Sequence, residues 1–208
     1  MVKYRQLYHN TKNKIVNEKK KYILKYFQKN SRKKSYGEEY YKKREVIQME
    51  LKVVRMEFPE DTNIIIGQTH FIKTAEDLYE VMVNAVPNSK FGLAFNEASG
   101  PCLVRAEGND SELKAIAIKN VKNIGAGHVF IIVLKDAFPI NVLNAIKNCP
   151  EICSIFCATA NPVEVIIAQT DLGRGVLGVI DGNLPKGVEK DKDVQERKEF
   201  LRMIGYKR

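Results

Sequence analysis

Three residues that can bind an anion stand close together in the sequence. His70, Lys73 and Thr74 follow the apolar run NIIIGQT, and a helix pattern begins at Thr74. Helix N-termini offer unpaired N–H groups and a partial positive charge to a phosphate or carboxylate. If the chain turns back after Phe71, the imidazole, the ammonium group and the hydroxyl would surround one anion. The alternative is that His70 hydrogen-bonds a carbonyl group while Thr74 caps the helix.

A second histidine, His128, follows IGAG and opens the most apolar segment of the chain, VFIIVLK. The glycines before it would let the backbone pass close to a ligand. A histidine that enters a buried strand can equally be a core residue with satisfied hydrogen bonds. Both roles remain open at this point.

Further polar side chains stand where strand-like runs give way to turns. They are Glu97, Ser99, Arg105, Asp136, Asn141, Asn161 and Asp181. Such groups can bind sugar hydroxyls or purine edges when they converge on a pocket. Ordinary turn and surface roles account for the same residue types.

The segment GRGVLG, residues 173–178, matches the dinucleotide pattern G-x-G-x-x-G. That pattern needs a strand before it and a helix after it, whereas the residues that follow here are strand-like. The segment therefore predicts a hairpin turn that presents Arg174, either to a ligand or to solvent. The sequence contains no P-loop, zinc-protease or nucleophile-elbow motif.

Four cysteines stand at positions 102, 149, 153 and 157. They form no Cys-x-x-Cys pair and have no histidine at zinc-finger spacing. Buried free thiols in a reducing compartment are the simpler interpretation. A thiolate metal site is the alternative, and it lacks a fourth ligand, so we predict no metal site.

Short apolar runs alternate with helix-period segments from residue 50 onward, which predicts an α/β domain, with α+β as the alternative. The predicted strands are 50–58, 63–69, 90–98, 102–108, 128–135, 152–159, 163–170 and 175–181, and the predicted helices are 74–86, 110–124, 139–148 and 191–204. Thr74 with Asp77, and Asn109 with Glu112, resemble capping boxes. The turn NPVE predicts an antiparallel hairpin between the strands on either side of it. We therefore expect a single domain with a mixed, partly antiparallel sheet flanked by about four helices.

The net charge of +9 is concentrated in one part of the chain. Residues 1–48 contain 15 Lys and Arg against 4 Asp and Glu, and residues 49–208 contain 19 against 21. We predict a basic, partly helical or disordered extension over 1–48 and a domain over 49–208. The extension could contact RNA or a membrane surface, or it could simply be solvated. No apolar run of about 18 residues and no signal-peptide pattern is present, so we expect a soluble cytoplasmic protein.

Taken together, several long segments resemble the adenosine-specific kinase family. They are IIIGQTHFIKTAEDLYE, KFGLAFNEASG, LVRAEGND, IGAGHVFIIVL, AFPINVLNAIKN, CATANPVEVIIAQT, GRGVLGVIDG and RKEFLRMIGYK, in this order over about residues 50–208. The extension has no counterpart in the family.

The resemblance implies an α/β domain that binds adenosine or AMP and carries a phosphoryl group on a histidine. His70 and His128 are the histidines in the matching region, and we place His70 slightly ahead because Lys73 and Thr74 accompany it. Lys73, Arg105 and Arg174 would supply positive charge, and Glu97, Asp136 or Asp181 would bind Mg²⁺ or act as a base.

The leading hypothesis is thus a kinase that forms AMP from adenosine, with ATP as donor. The alternatives are a sensor module that binds adenosine or AMP without turnover, and nucleic-acid contact through 1–48. Exposed sheet edges also predict a homo-oligomer, such as a trimer.

Overall fold

The computed structural model of the protein describes residues 48–208, and residues 1–47 of the basic extension lie outside them. The strands are β1 (Glu50–Arg55), β2 (Thr62–Thr69), β3 (Lys90–Asn96), β4 (Val104–Gly108), β5 (Val129–Lys135), β6 (Ile152–Thr159), β7 (Val163–Gln169) and β8 (Arg174–Asp181). The helices are α1 (Thr74–Ala85), α2 (Ser111–Ile124), α3 (Pro139–Lys147) and α4 (Asp191–Met203). All twelve predicted elements are present, with boundaries within a few residues, and the predicted α/β class is confirmed.

The strands form two separate sheets in which every pairing is antiparallel. The larger sheet has the order β4-β3-β5-β2-β6, and the smaller has the order β1-β7-β8. The single mixed sheet expected from the sequence is therefore replaced by two antiparallel ones.

The predicted hairpin between β6 and β7 is wrong, because these two strands belong to different sheets. β6 pairs with β2, whereas β7 pairs with β1 and β8. Val163, Val165 and Ile167 of β7 are fully buried against the larger sheet. The turn at 160–162 therefore carries the chain across to a second layer, where these side chains complete the core.

The larger sheet is buried on both faces. One face, with Ile64, Ile66 and Ile131, packs against α2 and the smaller sheet. The other face, with Phe91, Leu93 and Ile132, packs against α1 and α3. Strands that are covered on both sides read as continuous apolar runs, which is why NIIIGQT and VFIIVLK show no polar alternation.

Both helix caps differ from the sequence prediction. The Thr74 hydroxyl donates to the Phe71 carbonyl at 2.5 Å, and no side chain caps α1. Asp110, not Asn109, caps α2 by accepting from the backbone N–H groups of Glu112 and Leu113. Asn109 instead accepts from the Phe91 N–H and donates to the Ser89 carbonyl at the start of β3, and the neighbouring Asp110 caps the helix. No helix among residues 48–208 is long and apolar enough to cross a membrane.

Candidate functional site

The predicted site residues divide between the two ends of the larger sheet. We define the near edge as the end at which β2 and β3 finish and β4, β5 and β6 begin. His70, Lys73, Thr74, Glu97, Ser99, Arg105 and His128 lie at this edge, and Arg174 lies beside it at the start of β8. Asp136, Asn141, Asn161 and Asp181 lie at the opposite end of the sheets.

His128 occupies an unusual backbone conformation at the near edge. Its φ is +61°, in the left-handed region that only a few per cent of non-glycine residues adopt. Its N–H donates to the Asn96 carbonyl at 2.7 Å, and its own carbonyl accepts from the Thr69 N–H at 2.9 Å. The half-buried imidazole stacks on Phe95, with ring centroids 6.1 Å apart and planes inclined by 11°. Such outliers cost about 1–3 kcal/mol and cluster at functional sites.

A groove of about 850 Å³ lies between the near edge and the turn that joins β7 to β8. Its volume is within the range of about 300–1,000 Å³ that is usual for small-molecule sites. The lining residues that carry hydrogen-bonding or charged side chains are Asn96, Glu97, Lys122, Thr170 and Arg174. Gly125, Gly127, Gly173 and Gly175 line it as well, so the backbone itself forms much of the wall.

Asn96 connects the groove to His128. Its side-chain NH₂ donates to the carbonyls of Val121 and Ala126, each at 2.9 Å. Both amide hydrogens are thereby used, which fixes the orientation of the amide. Its Oδ1 accepts no hydrogen bond from the described residues and is available to a ligand in the groove.

Arg174 is held by the end of α2. Its Nη1 donates to the carbonyls of Asn123 and Ile124 at 3.1 and 3.3 Å, and its Nε donates to Gln169 at 3.0 Å. The predicted hairpin turn is present, because the Thr170 N–H donates to the Gly173 carbonyl. Strand β8 follows, so the segment 173–178 is not a dinucleotide-binding turn. The remaining guanidinium nitrogen, Nη2, has no partner among the described residues.

Lys73 and Thr74 are engaged by their own surroundings. Lys73 forms ion pairs with Asp77 and with the buried carboxylate of Glu151, the latter at 2.9 Å, and these contacts raise its pKa. Thr74 is buried, and its hydroxyl shares a hydrogen bond of 2.6 Å with Thr69. His70 is exposed, and its backbone N–H donates to the Glu151 carbonyl. Of the three side chains expected to surround one anion, Lys73 and Thr74 are therefore already engaged by neighbouring residues, which leaves the imidazole of His70.

Glu97 and Arg105 form an ion pair beside the groove. The guanidinium donates to both carboxylate oxygens, at 3.1 and 3.3 Å, and Glu97 also accepts from the Leu103 N–H. Ser99 is exposed in the loop between them. Arg105 thus neutralises the Glu97 carboxylate at the groove.

The four residues at the far end have local partners. The Asn141 side chain accepts from the Phe138 N–H, and Asn161 donates to Asp181 at 3.0 Å. Asp136 is exposed with φ of +61° at the end of β5. They are separated from His128 by the length of the sheet.

Sequence reasoning missed Asn96, Lys122, Gly127 and Glu151. Asn96 ends an apolar strand, and Lys122 resembles any exposed helix lysine. Glu151 stands in a turn and is 1% exposed, which its residue type disfavours. For Gly127, the only signal in the sequence was the pair of glycines in the segment IGAG, directly before His128.

The cysteines, and the acidic residues of the described part of the chain, are not arranged as a metal centre. All four cysteines are free, with Cys149 buried and Cys102 and Cys153 exposed. Within residues 48–208, no group of three or more His, Cys, Asp or Glu side chains is placed to hold a metal ion.

The chain belongs to the adenosine-specific kinase family, whose model, described as "Adenosine specific kinase", matches residues 54–207. It is similar to the crystal structure of PH1918 protein from Pyrococcus horikoshii OT3, at 49% sequence identity and a TM-score of 0.74. That alignment covers 77% of this chain and 99% of the archaeal chain. No curated protein matches the sequence.

Proposed function

We propose that the protein binds adenosine or AMP in the groove and phosphorylates adenosine, with His128 as the phosphoryl carrier. The observation that carries this proposal is the position of His128. Its left-handed backbone directly follows Gly127, which lines the groove, while its imidazole stacks on Phe95 and is not itself a lining side chain. Family membership supports adenosine as the substrate.

The groove has the chemical groups that a nucleoside and its phosphate need. Lys122 and Arg174 are cations that can neutralise phosphate oxygens. Glu97 and the free Oδ1 of Asn96 are acceptors for ribose hydroxyls or the adenine amino group. Ala98, Val104 and Leu172 supply apolar surface for the base.

His128 is a better phosphoryl carrier than His70, which reverses the order proposed from sequence. Exclusion of water slows hydrolysis of an N–P bond to histidine, and His128 is half-buried whereas His70 is exposed. The cation nearest to His70 in sequence, Lys73, is already paired with Asp77 and Glu151. His70 then serves as the comparison residue in every assay.

The proposed reaction has two steps. A nitrogen of the His128 imidazole attacks the γ-phosphorus of ATP, forming an N–P bond and breaking the bond to the bridging oxygen, so that ADP leaves. The 5′-hydroxyl oxygen of adenosine then attacks the same phosphorus, the N–P bond breaks, and AMP forms. The hydroxyl proton passes to water or to a carboxylate in the groove.

Magnesium would enter this reaction with the nucleotide. Mg²⁺ in kinases is usually held by substrate phosphates and one or two carboxylates. The described residues provide no preformed cluster of ligands, so no step above depends on a protein-bound metal. In the groove, Glu97 is the carboxylate that could contact such an ion, although it forms an ion pair with Arg105 in this structure.

A direct assay tests the proposal. The protein is mixed with ATP, Mg²⁺ and labelled adenosine, and AMP is separated by chromatography. The wild type and His70→Asn should form AMP, and His128→Asn should lose at least about 100-fold in rate, as expected for loss of a covalent carrier. If both histidine variants match the wild type, the histidine mechanism is excluded. If no protein forms AMP, the kinase activity is excluded.

A binding module without turnover is the second candidate. The pairing of Glu97 with Arg105 and the lack of a preformed metal cluster in the described residues favour it. Calorimetry distinguishes the two, since a module would bind adenosine or AMP saturably without forming product. Nucleic-acid contact through 1–48, self-association and a cytoplasmic location remain predictions.

A further inference from the structure

The ion pair between Arg105 and Glu97 leaves part of the guanidinium unused. One nitrogen, Nη2, makes both contacts to the Glu97 carboxylate, at 3.1 and 3.3 Å. Nε is buried and has no hydrogen-bond partner among residues 48–208. Arginines bound to carboxylates or phosphates frequently use two nitrogens side by side, and buried donors are nearly always paired. Arg105 therefore has a donor that its present partner does not satisfy.

Arg105 lies on the same face of the larger sheet as the His128 imidazole. It stands on β4 directly opposite Phe95 of β3, and Phe95 stands opposite Phe130 of β5. Residues directly opposite each other in antiparallel strands project from the same face. The His128 ring reaches this face as well, because it stacks on Phe95 with the planes inclined by 11°. Arg105 and the imidazole are thus both neighbours of one phenyl ring.

Glu97 follows β3, the strand that lies between the strand of Arg105 and the strand that His128 opens. Its N–H donates to the Leu103 carbonyl at 3.1 Å, which continues the pairing of β3 with β4. On the other side, the carbonyl of the preceding Asn96 accepts from the His128 N–H. The Glu97 side chain lines the groove and is 9% exposed. The partner of Arg105 is thus a carboxylate at the proposed adenosine site, next to the proposed phosphoryl carrier.

A phosphoryl group on the His128 ring needs a cation on the same face of the sheet. Helix α2, which carries Lys122, packs on the opposite face. Arg174 is held by carbonyls at the end of α2. Lys73 is already paired with two carboxylates. Among the described residues at the near edge, Arg105 is therefore the cation whose position and unused donor suit this group.

We propose that Arg105 exchanges the Glu97 carboxylate for the phosphoryl group when His128 is phosphorylated. His128 is the phosphoryl carrier of the proposed function, on which this exchange depends. A phosphoryl group presents two oxygens to the guanidinium fork, so Nε gains the partner that it lacks. Glu97 then keeps one hydrogen bond from the described residues, that from the Leu103 N–H, and its carboxylate is free to accept a proton.

The exchange makes Glu97 available as a general base only after the phosphoryl group is in place. The 5′-hydroxyl oxygen of adenosine attacks the phosphorus, and the hydroxyl proton passes to the Glu97 carboxylate. The electron pair of the N–P bond returns to the His128 ring, which keeps a proton on its other nitrogen and is left neutral. AMP leaves, Glu97 releases its proton to water, and Arg105 pairs with Glu97 again.

The first test places the phosphoryl group on histidine without ATP. The full chain is treated with phosphoramidate, which phosphorylates histidine chemically, and the group on His128 is followed by phosphorus NMR and peptide mapping. Arg105→Gln should shorten its half-life at least about tenfold, and Arg105→Lys, which keeps the charge without the fork, should shorten it by a smaller factor. Arg55→Gln breaks a matched arginine–glutamate pair on the smaller sheet and should leave the half-life unchanged.

The second test separates the roles of the two partners. Glu97→Gln should hold the phosphoryl group on His128 at least as long as the wild type does. Its transfer to saturating adenosine should be slower by at least about 100-fold, as expected for loss of a general base. An ion pair with only a structural role would instead give Arg105→Gln and Glu97→Gln the same effect in both measurements, which would overturn the exchange.

Two further results would overturn the exchange in distinguishable ways. If the wild type and Arg105→Gln lose the phosphoryl group from His128 at the same rate, the exchange is excluded and the carrier role of His128 stands. If His128 of the wild type accepts no phosphoryl group from phosphoramidate or from ATP, the carrier role fails and the exchange fails with it. Calorimetric binding of adenosine checks that each variant is folded, and Arg105→Lys supplies the comparison if Arg105→Gln is not.

Discussion

The backbone N–H of His128 donates to the Asn96 carbonyl at 2.7 Å, while the Asn96 side chain holds the carbonyls of Val121 and Ala126. A single residue at the end of β3 thus ties together the last turn of α2, the glycine turn and the histidine. His128 adopts its left-handed conformation within this network. The Asn96 side chain also lines the groove, and its Oδ1 accepts no hydrogen bond from the described residues.

Replacing Asn96 should destabilise the protein and impair its site. Asn96→Leu removes the donor from two carbonyls in a buried region, and each loss of this kind costs about 1–3 kcal/mol. We expect the free energy of unfolding, measured by urea denaturation, to fall by at least that amount. The exposed Asn84→Leu on α1 is the control and should change it by less than about 0.5 kcal/mol. Equal stability of the two variants would contradict the role assigned to Asn96.

Gly92 should tolerate no side chain. A Cβ at this position in β3 would collide with the backbone of Leu113 and Lys114 at the start of α2. Because backbone cannot rotate away, we expect Gly92→Ala to lose about 1–3 kcal/mol or more in thermal or urea unfolding.

Gly178→Ala is the matched strand-glycine control, since an added Cβ there meets open space. It should be neutral or slightly stabilising, by up to about 1 kcal/mol. If Gly92→Ala were equally harmless, the close packing of α2 on β3 would be wrong.

We expect Cys157 to react with thiol reagents more slowly than Cys153, the other cysteine of β6. Burial, with a smaller contribution from Asp181, raises the pKa of Cys157 from 9.0 to about 12. Because the thiolate is the nucleophile, iodoacetamide at about pH 8 should label Cys157 at least about tenfold more slowly than the exposed Cys153.

The sign of the pH dependence follows from the same shift. The folded state favours the neutral thiol, so the contribution of Cys157 to stability is complete below pH 9.0 and declines as the pH rises toward 12.

Peptide mass spectrometry after timed iodoacetamide labelling measures the labelling rates of Cys153 and Cys157. Equal rates for Cys153 and Cys157 in the folded protein would refute the assigned burial.

The elements of the fold could be predicted because their apolar patterns and turn residues are local signals. The pairing of the strands was harder to predict, because the NPVE turn predicts a hairpin although β6 and β7 belong to different sheets. Nothing in the local sequence states that Val163, Val165 and Ile167 must face another sheet. The sheet assignment depends on burial that only the folded chain defines.

The candidate site could likewise be predicted only in part from the sequence. Both candidate histidines come from the sequence, but the order that we propose between them rests on neighbours distant in the chain. Glu151 lies 78 positions from Lys73 in the sequence and forms an ion pair with its ammonium group. That ammonium group was the cation that favoured His70 in the sequence prediction. The groove likewise requires α2, β3 and the β7–β8 turn to meet, and Asn96 gains its role only there. Residue type and spacing reveal candidates, and tertiary contacts decide among them.

The central claim, that His128 carries the phosphoryl group, is tested most directly by intact mass. The full chain is incubated with ATP and Mg²⁺, kept at neutral or alkaline pH to preserve the N–P bond, and mapped by peptide fragmentation. We predict one added phosphoryl group on His128 that disappears when adenosine is supplied and AMP forms. A phosphoryl group on His70, or no added mass while AMP still accumulates, would contradict the claim.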